Sequence, residues 1–412
     1  MAQLDTKTTS KRSDVTEKTD DIRNRRIYLT LYVVCFGSMA SMRVCDAMLP
    51  SLSLTFGVTT QQASRAISAF AMAYGVAQLF WGPVGDRSGK LRVIALSTFL
   101  CAIGNGTAFF ANSLDQLMAM RLISGASAAA IVPLSMAWIG DSAAYEQRRS
   151  ALGKLLGATV LGSIAGQIIG GELSASHHWR GAFALIACFF VAGFMVLLAD
   201  ARKPDTLGSQ SAESLVKRLS TAVREPWAKI VLLTAFIEGA LAYSVLAFMP
   251  LHLHVKYGIP WNRAAVVTAL YGVGGIVYGR LAGALLTRVG EGGAIRLGGT
   301  FIFLSFLVLS LSHQVYLSYI ACFVGGFAFY ALHNVLQINA TQMAPAARAT
   351  AVSLFSCVLF LGQSFGINAA GFVIGRWSTE VWLNIAAFGL LSISMVFFML
   401  HRRQSFRDPV TL

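Results

Sequence analysis

Charged residues are scarce in this sequence. They make up 13% of its 412 residues, whereas 55% are hydrophobic, and an ordinary soluble domain carries about 25% charged residues. So few charges cannot cover a water-exposed surface, which excludes a soluble globular protein. A helix of about 20 residues crosses the core of a bilayer, and a chain of this length has room for twelve such helices with short loops between them.

Cysteine is also sparse, and motifs that would carry chemistry are missing. The six cysteines all lie inside apolar stretches and none belongs to a Cys-x-x-Cys pair, which argues against a disulfide framework. His252 and His254 are two residues apart, so a helix directs them to different faces, and no metal site is expected. The sequence contains no His-Glu-x-x-His motif, which would mark a metal-dependent enzyme. It also contains no second acid in the pattern that would pair with Asp141 in an intramembrane aspartyl protease. These absences argue against an intramembrane enzyme, and no cofactor is expected.

Acidic residues are few relative to basic ones, with 19 Asp and Glu against 33 Lys and Arg. Such an excess suits nucleic acid only when the basic residues share one soluble face. Here 24 of the 33 fall in segments that are inside if the N-terminus is inside, and four fall in the loops on the other side. Because cytoplasmic loops retain Lys and Arg, topology explains the charge. We expect both termini in the cytoplasm, a location in the inner membrane and no nucleic-acid partner.

The apolar runs predict an all-α membrane protein with twelve transmembrane helices in two six-helix bundles. The first bundle is expected over 27–200 and the second over 227–401. Polar residues mark a disordered cytoplasmic tail over 1–26, a cytoplasmic linker over 201–226 and a C-terminal tail over 402–412. The segment after the second helix is echoed after the eighth, and two like halves are typical of transporters with a substrate site between them.

The segment GPVGDRSGKLRV, residues 82–93, follows the second predicted helix. It resembles the loop signature of the major facilitator superfamily, Gly-x-Leu-x-Asp-Arg-x-Gly-Arg-Lys/Arg. In the fourth predicted helix, Arg121 and Gly125 resemble the Arg-x-x-Gln-Gly motif of that family, with Ser124 in place of Gln. The resemblance implies the major facilitator fold, in which two pseudo-symmetric six-helix bundles give alternating access to a central site.

Further motifs resemble the twelve-helix drug:proton antiporter subgroup of that family. The fifth predicted helix carries GSIAGQIIGG, similar to Gly-x-x-x-Gly-Pro-x-x-Gly-Gly with Gln167 in place of Pro. The segments Asp46–Pro50 and Trp179–Arg180 also look like this subgroup. Small residues let helices approach closely within a membrane. The expected helix-packing residues are Gly162, Gly166, Gly170 and Gly171.

The loop signature also implies a cytoplasmic gate, a charge network that forms in one of two conformations and breaks in the other. The expected gate residues are Gly82, Asp86, Arg87, Gly89, Asp141 and Arg149. The alternative is that they are ordinary loop charges that obey the topology. Lys90 and Arg92 are interpreted in that second way, as solvated charges.

Ionisable residues inside a span cost about 2.5–3.5 kcal/mol each to insert, so each is a candidate functional residue. Arg43 and Asp46 are three residues apart and lie on one helix face. They form either a plain ion pair or a proton-coupling site, the role that the resemblance implies for Asp46, with Arg121 holding Asp46 ionised. Glu238 lies near the middle of the seventh span with no basic residue within four positions. It is expected to be an unpaired acid and a second proton carrier, or otherwise a hydrogen-bonded structural acid.

Polar side chains within the spans are the candidates for binding a substrate. They are Arg43, Arg121, Tyr74, Gln78, Gln167, His333, Asn334, Gln337 and Gln363. For any one of these residues, packing or a hydrogen bond between helices is an alternative explanation.

The sequence therefore predicts a secondary active transporter, namely a proton-driven exporter of small hydrophobic or amphipathic compounds. The alternative is a proton-coupled importer of an organic anion, which is favoured by Arg43 and Arg121 as partners for a carboxylate and by the missing proline at Gln167. The expected partners are the small-molecule substrate, protons and membrane lipid. The protein is expected to work as a monomer.

Overall fold

The structure is a computed structural model that describes residues 2–143, 145–201, 215–344 and 348–407. The described residues are almost entirely helical. The helices are α1 Ala2–Arg43, α2 Leu49–Phe56, α3 Thr60–Ala63, α4 Arg65–Ser88, α5 Lys90–Ala108, α6 Leu114–Ser142, α7 Tyr145–Ala175, α8 Trp179–Ala201, α9 Leu215–Arg224, α10 Pro226–Glu238, a π turn Gly239–Tyr243, α11 Ser244–Tyr257, α12 Trp261–Leu311, α13 Val315–Gln342, α14 Arg348–Arg376 and α15 Thr379–Arg407.

Twelve spans account for these helices. Ten helices in the described parts of the chain are long and apolar enough to cross a membrane. One of them, α12, has 51 residues and is interrupted at Gly290, where φ is 66°. Glycine adopts such a positive φ without the steric cost of a side chain, so α12 supplies two spans. With the apolar part of α1 as the remaining span, the predicted all-α fold of twelve helices is confirmed.

The two ends of the chain contain more helix than expected. Helix α1 begins at Ala2, so the expected disordered tail over 1–26 is helical from its second residue onward. Extending an existing helix is far easier than starting one, and the buried Asp200 at the end of α8 binds Arg23 at 3.2 Å and Arg26 at 2.8 Å. Helix α15 likewise continues to Arg407. Half of the expected linker, 202–214, and the last five residues lie outside the described residues.

Glycines let α7 pack directly on the backbone of α1. A side chain at Gly162 would collide with the main chain of Phe36, and one at Gly166 with that of Ala40. Gly170 is equally close to the carbonyl oxygen of Val44. Because lipid gives helices no hydrophobic reason to associate, such close contact is what holds membrane helices together. The glycine face therefore fixes the end of α1, where the charged residues lie.

Two helix pairs join the first six spans to the last six. Helix α4 packs on α14, and α7 packs on the first arm of α12. We call the end of the bundle where α1 begins and α15 ends the termini side, and the opposite end the far side. On the far side, Gly171 of α7 lies against Ala265 of α12. Asn262 of α12 also donates to Glu172 of α7 at 3.4 Å.

Toward the termini side the same helix pairs separate. The contacts between α4 and α14 reach Gly75, which lies against the backbone of Cys357. Beyond that point, a side chain added at Gly82 of α4, at Gly157 of α7 or at Gly279 of α12 would meet no atom within 4 Å. The bundle is therefore closed on the far side and open on the termini side.

The packing of α7 generates a prediction with an internal control. Gly162→Val should lower the free energy of unfolding by about 1–3 kcal/mol, the usual cost of overpacking, because the main chain of Phe36 cannot retreat from the new methyl groups. Gly157→Val, five residues away in open space, should leave stability unchanged. Thermal unfolding of the two purified variants measures the difference, and equal melting temperatures would contradict the proposed contact.

Candidate functional site

A cavity of about 110 Å³ lies between the two halves of the bundle. Residues from α1, α7, the π turn, α11, α12, α13 and α14 line it. They are Met39, Met42, Arg43, Thr159, Val160, Ser163, Ile164, Gln167, Tyr243, Leu246, Tyr271, Gly272, Phe329, Tyr330 and Phe360. Arg43 is the single charged side chain in this set. The cavity is therefore an aromatic and aliphatic chamber with one cation in its wall.

That cation is paired with a buried acid. The helix α1 ends at Arg43, and residues 44–48 form turns before α2, in which the Asp46 amide donates to the Arg43 carbonyl at 3.1 Å. The same turn brings Nη1 of Arg43 to 3.4 Å from Oδ2 of Asp46. Asp46 is 1% exposed, lies behind Arg43 as seen from the cavity, and its Oδ1 has no partner among the described residues. The ion pair considered from the sequence is present, although the residues lie on a turn and not on a continuous helix.

Arg43 also contacts an aromatic ring of the second half. Its guanidinium carbon lies 4.8 Å from the centre of the Tyr243 ring, a distance at which a cation is attracted by the π electrons. Arg43 thus bridges α1 of the first half and the π turn of the second. A change in the partners of Arg43 therefore alters contacts in both halves of the bundle.

Arg121 is not among the residues that line the cavity, and its expected contact with a substrate stays a prediction. It is fully buried and donates Nη1 to the Ser41 carbonyl at 2.6 Å and Nη2 to the Met42 carbonyl at 3.3 Å. Its guanidinium also stacks over Phe70, 4.2 Å from the ring centre. Depth in the helix is readable from the sequence, but the direction of the side chain is not. Arg121 ties α6 to the last turn of α1 and so positions Arg43.

Glu238 has a partner, so the expectation that it is an unpaired acid is wrong. Its Oε2 lies 3.1 Å from Nδ1 of His333 on α13. His333 in turn stacks on Phe329, with ring centres 5.4 Å apart. Neither Glu238 nor His333 is among the residues that line the cavity. The partner is 95 positions away along the chain, so a search within four positions could not find it.

The remaining candidates for binding a substrate differ in where they lie relative to the cavity. Gln167 lines the cavity close to Arg43, whereas Tyr74, Gln78 and Gln363 are buried beside it and do not line it. Tyr74 reaches the cavity indirectly, since its ring is 4.6 Å from that of Phe360. The other two, Asn334 and Gln337, lie along α13 toward the termini side. Neither Asn334 nor Gln337 lines the cavity, and a substrate role for them stays a prediction.

Sequence reasoning missed most of the aromatic wall. Tyr243, Tyr271 and Phe329 all line the cavity, and the rings of Tyr243 and Phe329 lie 5.4 Å apart. A tyrosine in the middle of a span carries a hydroxyl that needs a polar neighbour, and this signal could have singled out the two tyrosines. The phenylalanines resemble the many that face lipid and give no such signal.

A second charged cluster lies on the termini side and is centred on Lys90. Its Nζ is 2.8 Å from Asp141 and 3.5 Å from Asp86, and the residue is only 9% exposed. Lys90 is therefore the centre of a charge network and not a solvated loop charge as the sequence suggested. Arg87 and Arg149 are exposed nearby.

The Lys90 cluster fastens together helices of one half only. Asp86 lies in the last turn of α4, Lys90 begins α5 and Asp141 lies in the last turn of α6, so the three residues hold the termini-side ends of these helices in register. Gly89 between them has φ of 90°, a conformation that glycine adopts readily. Gly82, which was also expected in the gate, has open space where a side chain would stand.

The cluster predicts a transport defect without a folding defect. Lys90→Gln leaves two carboxylates without their shared cation, which should change the balance between the two conformations and strongly reduce transport of any compound that the wild type moves. Lys154→Gln, an exposed lysine on α7, is the matched control. Initial transport rates and thermal unfolding of both variants provide the test, and a native rate for Lys90→Gln would reduce the cluster to a structural role.

The sequence of the chain is similar to that of known transport proteins. Residues 31–367 match the family model described as Major Facilitator Superfamily. The chain is 25% identical to the Inner membrane transport protein YnfM of Escherichia coli (strain K12), over 92% of this chain and 91% of that protein. It is 26% identical to the Bicyclomycin resistance protein homolog of Haemophilus influenzae, over 83% of this chain and 86% of that protein.

A solved structure has the same fold. The crystal structure of a POT family transporter in complex with 5-aminolevulinic acid superposes with a TM-score of 0.77 at 12% identity, covering 91% of this chain and 96% of that chain. At this level of identity the likeness establishes the arrangement of helices alone.

Proposed function

Since this chain belongs to the major facilitator superfamily, we propose that it is a proton-coupled exporter of small hydrophobic or amphipathic compounds that works by alternating access. The observation that carries the proposal is the buried Arg43–Asp46 pair in the wall of the central cavity. The similarity to the Bicyclomycin resistance protein homolog favours export.

The composition of the cavity favours an aromatic or amphipathic substrate. Its walls carry the rings of Tyr243, Tyr271, Phe329, Tyr330 and Phe360. Ligand sites of this kind bind mainly through apolar and aromatic contact, and a few polar groups fix the orientation. Gln167 and Arg43 are the polar groups that meet this requirement.

The ion pair gives a route to proton exchange. A buried charge that loses its partner is strongly destabilised, so a proton on Asp46 weakens the hold on Arg43. Asp46 does not line the cavity, so a substrate with a cationic or hydrogen-donating group reaches it only by displacing Arg43, and it then pairs with Asp46 only while the carboxyl is ionised. Proton and substrate then exclude each other, and mutually exclusive binding is the condition for exchange across a membrane.

The observed conformation is the one that receives a substrate for export. The distribution of Lys and Arg favours a cytoplasmic location for the termini side, and this is the open side of the bundle. A compound entering from there reaches Arg43, while the far side is closed by Gly171 against Ala265. Both helix pairs that form the cavity come from one chain, so a monomer suffices for transport. The similarity to the Inner membrane transport protein YnfM favours a location in the inner membrane.

A second function, proton-coupled import of an organic anion, is favoured by one observation. Arg43 is the single charged side chain among the described residues that line the cavity. An anion that binds Arg43 takes it away from Asp46, and the freed carboxylate then binds a proton more readily. Proton and anion would therefore bind together and move in the same direction, which is the reverse of exchange.

Everted membrane vesicles distinguish these mechanisms. With an acidified lumen and a pH-sensitive dye, ethidium or an uncharged aromatic compound added outside should raise the lumenal pH in the wild type, since export consumes the gradient. Asp46→Asn should reduce this response to that of vesicles without the protein. Asp115→Asn, which removes an exposed acid at the start of α6, should behave as the wild type.

Two outcomes would overturn the proposal. An undiminished response in Asp46→Asn would remove this acid from the coupling mechanism. If the lumenal pH rises only when an aromatic carboxylate is loaded inside the vesicles, where it leaves together with protons, anion import is the correct function.

A further inference from the structure

The second half of the bundle holds an acid that the exchange mechanism above does not use. Glu238 is 0% exposed and is the last residue of α10, directly before the π turn Gly239–Tyr243. Such turns inside a helix occur frequently at functional sites. The Oε2 atom contacts His333, while Oε1 has no partner among the described residues. A fully buried carboxyl with one free oxygen needs a reason to be there.

The partner of Glu238 differs from that of Asp46 in one chemical respect. Arginine keeps its proton at every physiological pH, whereas histidine gains and loses a proton near neutrality. Asp46 therefore always faces a cation, but Glu238 faces a cation only when His333 is protonated. Since a buried carboxylate without a cation is costly, a proton on either member of the pair stabilises it.

The other titratable groups that interact with the pair are tyrosines. Tyr243 and Tyr271 interact electrostatically with both Glu238 and Arg43, and tyrosine is neutral below a pH of about 10. Tyr330 lies one turn before His333 on α13 and is neutral for the same reason. Among the described residues of α14 and α15, no charged group lies within salt-bridge distance of Glu238.

Polar side chains follow the pair along α13 toward the termini side. The side chain of His333 is 14% exposed, in contrast to the enclosed Glu238. Asn334 is partly buried and Gln337, one turn further along α13, is exposed. Because α13 runs toward the termini side and ends at Gln342, a proton from that side meets His333 before it meets Glu238.

One aromatic ring separates the pair from the cavity. Phe329 lines the cavity and stacks nearly parallel on His333, with an angle of 16° between the planes. Its ring also meets Tyr243 edge-on at 5.4 Å. A substrate in the cavity therefore touches Phe329 and Tyr243 but neither member of the pair.

We propose that Glu238 and His333 form a second proton-binding site, separate from Asp46, that is loaded from the termini side through His333. Only the use of this site in transport rests on the proposed function, since proton binding itself needs no substrate. Two sites in two halves mean that the protein can carry more than one proton in each transport cycle.

Infrared difference spectroscopy between acidic and alkaline pH tests the site on the purified full-length protein. The carbonyl stretch of a protonated carboxyl group should lose one component in Glu238→Gln and a different one in Asp46→Asn. In His333→Gln the Glu238 component should change its pH dependence, while that of Asp46 should not. The control is His313→Gln, an exposed histidine on the far side, which should leave both components unchanged.

A further variant keeps the test decisive if Glu238→Gln does not fold. Glu238→Asp retains the acid but withdraws it from His333, so its carboxyl component should follow the pH dependence seen in His333→Gln. The proposal is overturned if Glu238→Gln or Glu238→Asp leaves the spectrum unaltered, or if His333→Gln leaves the Glu238 component unaltered. Either result would leave the Asp46 component, and with it the exchange mechanism, intact.

Discussion

The contact between Arg43 and Asp46 is the interaction on which the rest of this structure depends. It forms because α1 stops at Arg43 and turns, which places an acid three residues later behind its cation. Arg121 holds the two preceding carbonyl groups of α1, and the glycines of α7 bring that helix against the same segment. Three independent features thus converge on one turn, and they leave Arg43 facing both the cavity and the second half of the bundle.

The buried acids of the two halves have chemically different partners. In the first half, the cation beside Asp46 is permanent, so a proton or a ligand can act only by breaking an existing ion pair. In the second half, the charge opposite Glu238 itself depends on a proton bound to His333. Both acids are screened from the cavity, one by Arg43 and the other by Phe329. Protons and substrate therefore influence each other through these two side chains.

The sequence predicted the features that follow from local patterns of residues. It did not predict contacts between residues that lie far apart along the chain. Apolar runs predicted twelve spans, and the glycines of the fifth predicted helix marked a face that packs on α1. The π turn after Glu238 and the contact with His333 join helices three spans apart, and nothing in the local pattern encodes them. Lys90 was misinterpreted for the same reason, since Asp141 lies 51 positions away along the chain.

The most direct test of the central claim measures protons released when a ligand binds, without any membrane or gradient. An exported compound found in the vesicle experiment is added to the purified protein in weakly buffered solution, and the change in pH is recorded. If substrate and proton exclude each other at Asp46, binding should release protons from the wild type and this release should be lost in Asp46→Asn. Proton uptake by the wild type, or undiminished release from a variant that still binds the compound, would contradict the account.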